Sequence, residues 1–119
     1  MTARTQAAEL RRGFIYLARL DKLRPVLVIS PNVRNDLASD IIVIPCTTTP
    51  SIAPTHVRVR KGEGGLSAAS VLKCEQIITL HKDDVRPHPL GASLAPKRIQ
   101  EVERGILRAI GVPVPLEPA

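Results

Sequence analysis

The sequence predicts a mainly β domain with one helix, a small curved sheet or half-open barrel followed by a C-terminal helical segment. Three observations carry this. Short aliphatic runs rich in Val and Ile recur between Pro-, Gly- and Asn-containing breaks, and β-branched runs of that length favour strands. One stretch, 96–110, changes to helical spacing, with Ile99, Val102, Ile106 and Ile110 on one stripe. The chain has 119 residues, enough for one compact core. That core is aliphatic, because Phe14 and Tyr16 are the only aromatics and Trp is absent.

Residues 1–11 are polar and mixed and read as a flexible arm ahead of a domain over 12–111. Phe14 to Leu20 reads as the first strand, and Asp21 to Arg24 as a tight turn. Pro25 can begin the next strand, where its missing N–H matters least. Val26 to Ser30 is almost unbroken in apolar character, as for a strand buried on both faces. Residues 31–40 read as a loop, and Ile41 to Ile44 as a buried strand stopped by Pro45. Cys46 to Pro50 forms a polar shoulder. In Thr55 to Arg60, Val57 and Val59 point inward, leaving His56, Arg58 and Arg60 as a basic outer face. After the Gly62–Gly65 turn, Ser70 to Leu80 is the longest strand expected. Residues 82–91 are a charged connection, Pro96 suits the first turn of the helix with Ser93 as a candidate cap, and 112–119 form a Pro-rich tail.

Lys and Arg number 17 against 11 Asp and Glu, a net charge of +6. Such an excess on a small domain favours a polyanionic partner, nucleic acid first, against the alternative of simple solubility. No segment is apolar for the ~20 residues a membrane helix needs, and the first dozen residues have no apolar signal core. A cytoplasmic protein without membrane contact is expected. Cys46 and Cys74 lack metal-site spacing and are expected as buried free thiols. His56, His81 and His88 form no metal-binding motif, so neither a metal nor another cofactor is expected.

Cleavage of RNA without a metal needs a base for the 2′-hydroxyl proton, an acid for the leaving 5′-oxygen and a fixed cation for the charge that builds on phosphorus. Arg suits the last task because its planar fork matches paired phosphate oxygens. Arg24 stands in a turn directly before a buried strand, and Thr47 directly after another. Lys73 and Glu75, on one strand face, would have alpha carbons about 7 Å apart. Each residue also has an ordinary reading: Arg24 as a solvated turn residue, Thr47 as a strand-end hydroxyl, Lys73 with Glu75 as a weak surface ion pair. His56, Arg58 and Arg60 suit an RNA backbone as well as a wet strand face.

Several segments, in order, resemble the MazF/PemK family of toxin endoribonucleases. Arg12-Gly13-Phe14-Ile15-Tyr16 is similar to the family's opening strand. Arg24-Pro25-Val26-Leu27-Val28-Ile29-Ser30-Pro31 resembles its R-P-V-L-V-I-S-P strand, and Ile44-Pro45-Cys46-Thr47-Thr48 the segment with its catalytic Thr. Pro54 to Val57, Gly65 to Leu72, and Lys73 to Leu80 with its Glu75-Gln76 pair continue the match. The resemblance implies an SH3-like barrel of the CcdB/PemK type acting as a homodimer. It implies metal-independent, sequence-specific cleavage of single-stranded RNA (mRNA, rRNA or tRNA) to 2′,3′-cyclic phosphate and 5′-hydroxyl ends, and a small acidic antitoxin partner. On this chain it assigns Arg24 and Thr47 as catalytic residues, with Glu75 as the base. Lys22, Lys73, Thr48, His56, Arg58 and Arg60 are the RNA-binding candidates. The chain departs from the family in its clipped first loop, Asp21-Lys22-Leu23, in Phe14 for an acidic residue, and in Lys73 for Arg. The competing readings are a catalytically inactive RNA-binding barrel and a CcdB-like gyrase poison, the latter disfavoured by the absence of Trp.

Overall fold

A computed structural model describes residues 9–115. The strands are β1 (Ile15–Arg19), β2 (Leu23–Val28), β3 (Asp40–Thr47), β4 (His56–Val59), β5 (Ser70–Lys73) and β6 (Ile78–His81), and the helices are α1 (Asn32–Leu37) and α2 (Pro96–Ala109). The strands form one antiparallel sheet in the order β1-β2-β3-β5-β4, with β6 also on β3. The sheet does not close, as in a half-open barrel. Its nearest approach to closure is at β1, where Ala18 bridges Val85 and the Arg86 amide donates to the Leu17 carbonyl at 2.8 Å.

Two hydrophobic layers sandwich the central strands. Ile15, Leu27, Ile44 and Leu72 face α2 and its Val102. Tyr16, Val26, Val28, Ile41 and Val43 face the other way and pack with Leu10, Ala18 and Val85. Strand geometry sends successive side chains to opposite faces, so the unbroken apolar run at 26–29 is used on both sides, as expected. The second layer begins earlier than expected: Leu10 is fully buried and Arg11 pairs with Asp36. Packed structure therefore includes the end of what reads as an arm. Residues 1–8, and 116–119 of the Pro-rich tail, lie outside the described residues.

Five local expectations are corrected. The 31–40 loop contains α1, which is held by buried Asn35: its Nδ2 donates to the Ser30 carbonyl and to Asn32 Oδ1, at 3.0 and 3.1 Å. β3 does not stop at Pro45. It pairs with β6 over Asp40–Val43 and with β5 at Cys46 and Thr47, so Pro45 falls in the gap between these ladders, where a missing N–H costs least. Pro25, likewise, lies inside β2 opposite Leu17, before the β2–β3 ladder begins at Val26.

The long 70–80 strand is broken. Cys74–Gln76 forms a 3₁₀ turn that separates β5 from β6 and lets each pair with a different stretch of β3. The turn is set by packing: the Cys74 amide donates to the Thr55 carbonyl at 3.1 Å, and the Cys74 side chain lies against Gly105 of α2. A Cβ on Gly105 would stand 2.7 Å from Cys74 Sγ, so the glycine that weakens the helix in isolation is what lets α2 approach the turn. The helix begins at Pro96 as expected, but Ala95 occupies its N-cap position without a side-chain bond, so Ser93 is not the cap.

Candidate active site

The candidate site is assembled by strand register. β2 runs antiparallel to β3 with Val26 opposite Pro45. Continuing that register two residues places Arg24 across from Thr47 at the open end of the ladder. On its other side, β3 pairs Cys46 with Leu72 and Thr47 with Val71, which brings the end of β5 alongside. Arg24, Thr47 and Lys73 thus converge from three neighbouring strands. They line one cavity of about 290 Å³, together with Leu20, Asp21, Pro45, Cys46 and Gln76.

Arg24 is fixed by the hairpin that precedes it. Asp21 accepts from Arg24 Nε at 2.8 Å and from Nη2 at 3.0 Å, a two-point carboxylate–guanidinium contact. The Leu20 amide donates to the Lys22 carbonyl at 3.0 Å, and Arg19 pairs with Leu23, so Asp21 sits at the tip of a three-residue loop. The hydrogen bonds from Arg24 hold the Asp21 carboxyl well below the usual carboxylate range, and Asp21 in turn raises the Arg24 guanidinium. Both groups are charged throughout the physiological range.

Glu75 is not among the cavity's lining residues. The 3₁₀ turn removes it from the strand face expected to hold Lys73 and Glu75 side by side. It accepts instead from Thr55 Oγ1 at 2.7 Å and contacts His56 Nε2 at 3.1 Å. Burial pushes the Glu75 carboxyl up, but the hydrogen bonds from Thr55, from its own amide and from His56 outweigh it, and the net shift is downward. His56, expected on the wet face of its strand, keeps only 9% of its side chain exposed.

The remaining basic candidates are spread out. Arg58 and Thr48 line a second, apolar cavity of about 530 Å³ with Pro50, Ile52, Val59 and Val71. Arg60 and Lys22 are exposed and line neither cavity. Sequence reasoning missed Asp21 and Gln76 as parts of the site. For Asp21 a signal existed, since an acidic residue three before an Arg in a tight turn is placed to pair with it. Gln76 had none, because its position depends on the break at Cys74. Both cysteines are buried and free, and burial pushes each thiol up to about 12, far from thiolate reactivity.

Comparison with known proteins gives a consistent result. The profile of the PemK-like, MazF-like toxins of type II toxin–antitoxin systems matches residues 11–110. The endoribonuclease MazF of Staphylococcus saprophyticus is 32% identical over 113 residues, covering 87% of this chain and 92% of the relative. Among solved structures, a mycobacterial endoribonuclease in complex with its cognate antitoxin superposes with a TM-score of 0.78 at 28% identity, covering 89% of this chain and 99% of that one. The Mycobacterium tuberculosis toxin MazF-mt6 gives 0.76 at 29% identity, with coverages of 84% and 98%.

Proposed function

This chain belongs to the PemK/MazF family of toxins of type II toxin–antitoxin systems, and from that premise we propose that it is an endoribonuclease whose reaction takes place in the Arg24–Thr47–Lys73 cavity. The observation that carries the reading is the convergence of these side chains, from three strands, on one small polar cavity. A CcdB-like action on gyrase has no comparable support, because the relatives that match are endoribonucleases.

In this reading a single-stranded RNA phosphodiester enters the cavity and the ribose 2′-oxygen attacks phosphorus. The P–O5′ bond breaks and the leaving 5′-oxygen takes a proton from solvent water, giving a 2′,3′-cyclic phosphate and a 5′-hydroxyl. Arg24 donates to the non-bridging oxygens and stabilises the additional negative charge of the transition state. The Thr47 hydroxyl supplies one further hydrogen bond. Lys73 holds a phosphate as a point charge, without the two-point geometry an Arg would give. Arg58, Arg60 and Lys22 add charge along the path of the strand. To take the 2′-hydroxyl proton, Glu75 would have to release Thr55 and His56, so Glu75→Gln separates a base from a structural tie: loss of the rate assigns the base, and retention assigns the tie.

The reading keeps cleavage independent of a metal, and what supports it is that two cationic side chains, Arg24 and Lys73, already line the cavity. We place the protein in the cytoplasm as a homodimer regulated by a small acidic antitoxin. The antitoxin part of this reading is supported by the mycobacterial relative, whose structure holds its cognate antitoxin. The test is incubation with a broad panel of single-stranded RNAs in excess EDTA. Fragments ending in cyclic phosphate and 5′-hydroxyl are expected. Intact RNA throughout the panel with RNA binding retained would establish the inactive RNA-binding barrel instead.

A further inference from the structure

We propose that Asp21 is a positioning residue for cleavage: its carboxylate grips the Nε–Nη2 edge of the Arg24 guanidinium and so presents the Nη1–Nη2 end to the scissile phosphate. The inference rests on the reading of Arg24 as the phosphate clamp.

The geometry divides the guanidinium cleanly. An arginine carries five N–H donors in a rigid plane. Asp21 Oδ1 takes Nε–H and Oδ2 takes one N–H of Nη2. Three N–H groups remain: the second on Nη2 and both on Nη1. The two that point away from the Cδ end lie parallel, as two oxygens of a phosphate require. Asp21 and Arg24 both line the cavity that holds Thr47 and Lys73, so the pair stands at the site rather than beside it.

Stability gives little reason for the pair. The Asp21 side chain is 68% exposed, and an exposed ion pair contributes little to folding. What it does is remove rotameric freedom from a long side chain that would otherwise sample many orientations before each turnover. The clipped loop makes this possible. With only Leu20, Asp21 and Lys22 between the paired residues Arg19 and Leu23, the carboxylate has a fixed origin three residues from its target. Electrostatically the arrangement is costly for binding, since Asp21 offsets one positive charge at a site for a polyanion. The loss in RNA affinity is exchanged for orientation in the transition state, so its removal should move binding and chemistry in opposite directions.

The experiment compares wild type, Asp21→Asn, Asp21→Glu and Arg24→Ala. Single-turnover cleavage is measured at saturating enzyme on an RNA the wild type cuts. Binding is measured with a 2′-O-methyl copy of that RNA, which lacks the attacking hydroxyl. Asp21→Asn is expected to slow cleavage about 10- to 100-fold. It should bind the 2′-O-methyl RNA at least as tightly as wild type, with a salt dependence steeper by about one ion. Asp21→Glu should recover part of the rate. An Asp21→Asn enzyme that cleaves at or above the wild-type rate, while Arg24→Ala is inactive, overturns the proposal and leaves the assignment of Arg24 standing. An Arg24→Ala enzyme as fast as wild type overturns the assignment on which the proposal rests.

Discussion

Thr47 and Thr48 are neighbours in sequence, yet they serve two different cavities. Thr47 lines the smaller one with Arg24, Asp21, Lys73 and Gln76. Thr48 lines the larger one, where Pro50, Ile52, Val59 and Val71 make the surface apolar and Arg58 is the one charged lining residue. β3 ends at Thr47 and the chain bends at Thr48, so the two side chains part at the strand's end, one toward the charged cavity and one toward the apolar one. Size is no guide to chemistry here. The larger cavity offers area for contact, whereas the smaller one offers convergent groups that can stabilise a developing charge.

Breaking this contrast at its strongest point should give the largest effect. Arg24→Ala removes the clamp from the charged cavity and is expected to lower the cleavage rate about 10²- to 10³-fold, as loss of a principal transition-state donor does. Quenched single-turnover assays measure it. The second comparison is between the two threonines. Thr47→Ala loses one neutral hydrogen bond and should slow cleavage about 10-fold, whereas Thr48→Ala, on the apolar side, should stay within about 2-fold of wild type; equal effects on the same RNA would dissolve the distinction between the cavities. Lys73→Ala should weaken RNA binding and reduce the slope of log affinity against log salt by about one, which fluorescence titration at several ionic strengths reads directly.

Two further changes test the scaffold beneath both cavities. Gly105→Ala forces a methyl group against Cys74 Sγ and should destabilise the fold by about 1–3 kcal/mol, seen in urea unfolding. Activity should survive wherever the variant remains folded. The smallest effect is pH-linked. Hydrogen bonding from Arg98 depresses the Glu63 carboxyl below its ordinary value of 4.5. A depressed acid contributes stability that is fully present above its unfolded pKa and is lost as pH falls through the folded one. Wild type should therefore lose stability progressively below about pH 4.5, and Glu63→Gln should flatten that part of the curve.

The sequence made one half of the charged cavity legible and concealed the other. Arg24 and Thr47 stand at the ends of strands whose apolar character is plain in Val26–Ile29 and Ile41–Ile44, so their placement follows from local pattern. Lys73 and Glu75 depended on a single straight strand from Ser70 to Leu80, whose alternation looked regular. What breaks that strand is tertiary: the close approach of Cys74 to Gly105 and the Thr55 carbonyl, residues distant along the chain. No local signal marks such a contact. As a result Lys73 keeps its place at the cavity while Glu75 turns to Thr55 and His56. α1 was concealed for the opposite reason. Its six residues, rich in Asn and Asp, are those of a loop, and only the burial of Asn35 against Ser30 makes them helical.

The central claim is that chemistry belongs to the charged cavity and depends on Arg24. Single-turnover cleavage of one well-cut RNA by wild type and Arg24→Ala in EDTA, alongside their urea unfolding curves, tests it most directly. The account predicts superimposable unfolding and a rate at least about 100-fold lower in the variant. Wild-type cleavage by a properly folded Arg24→Ala protein would contradict it.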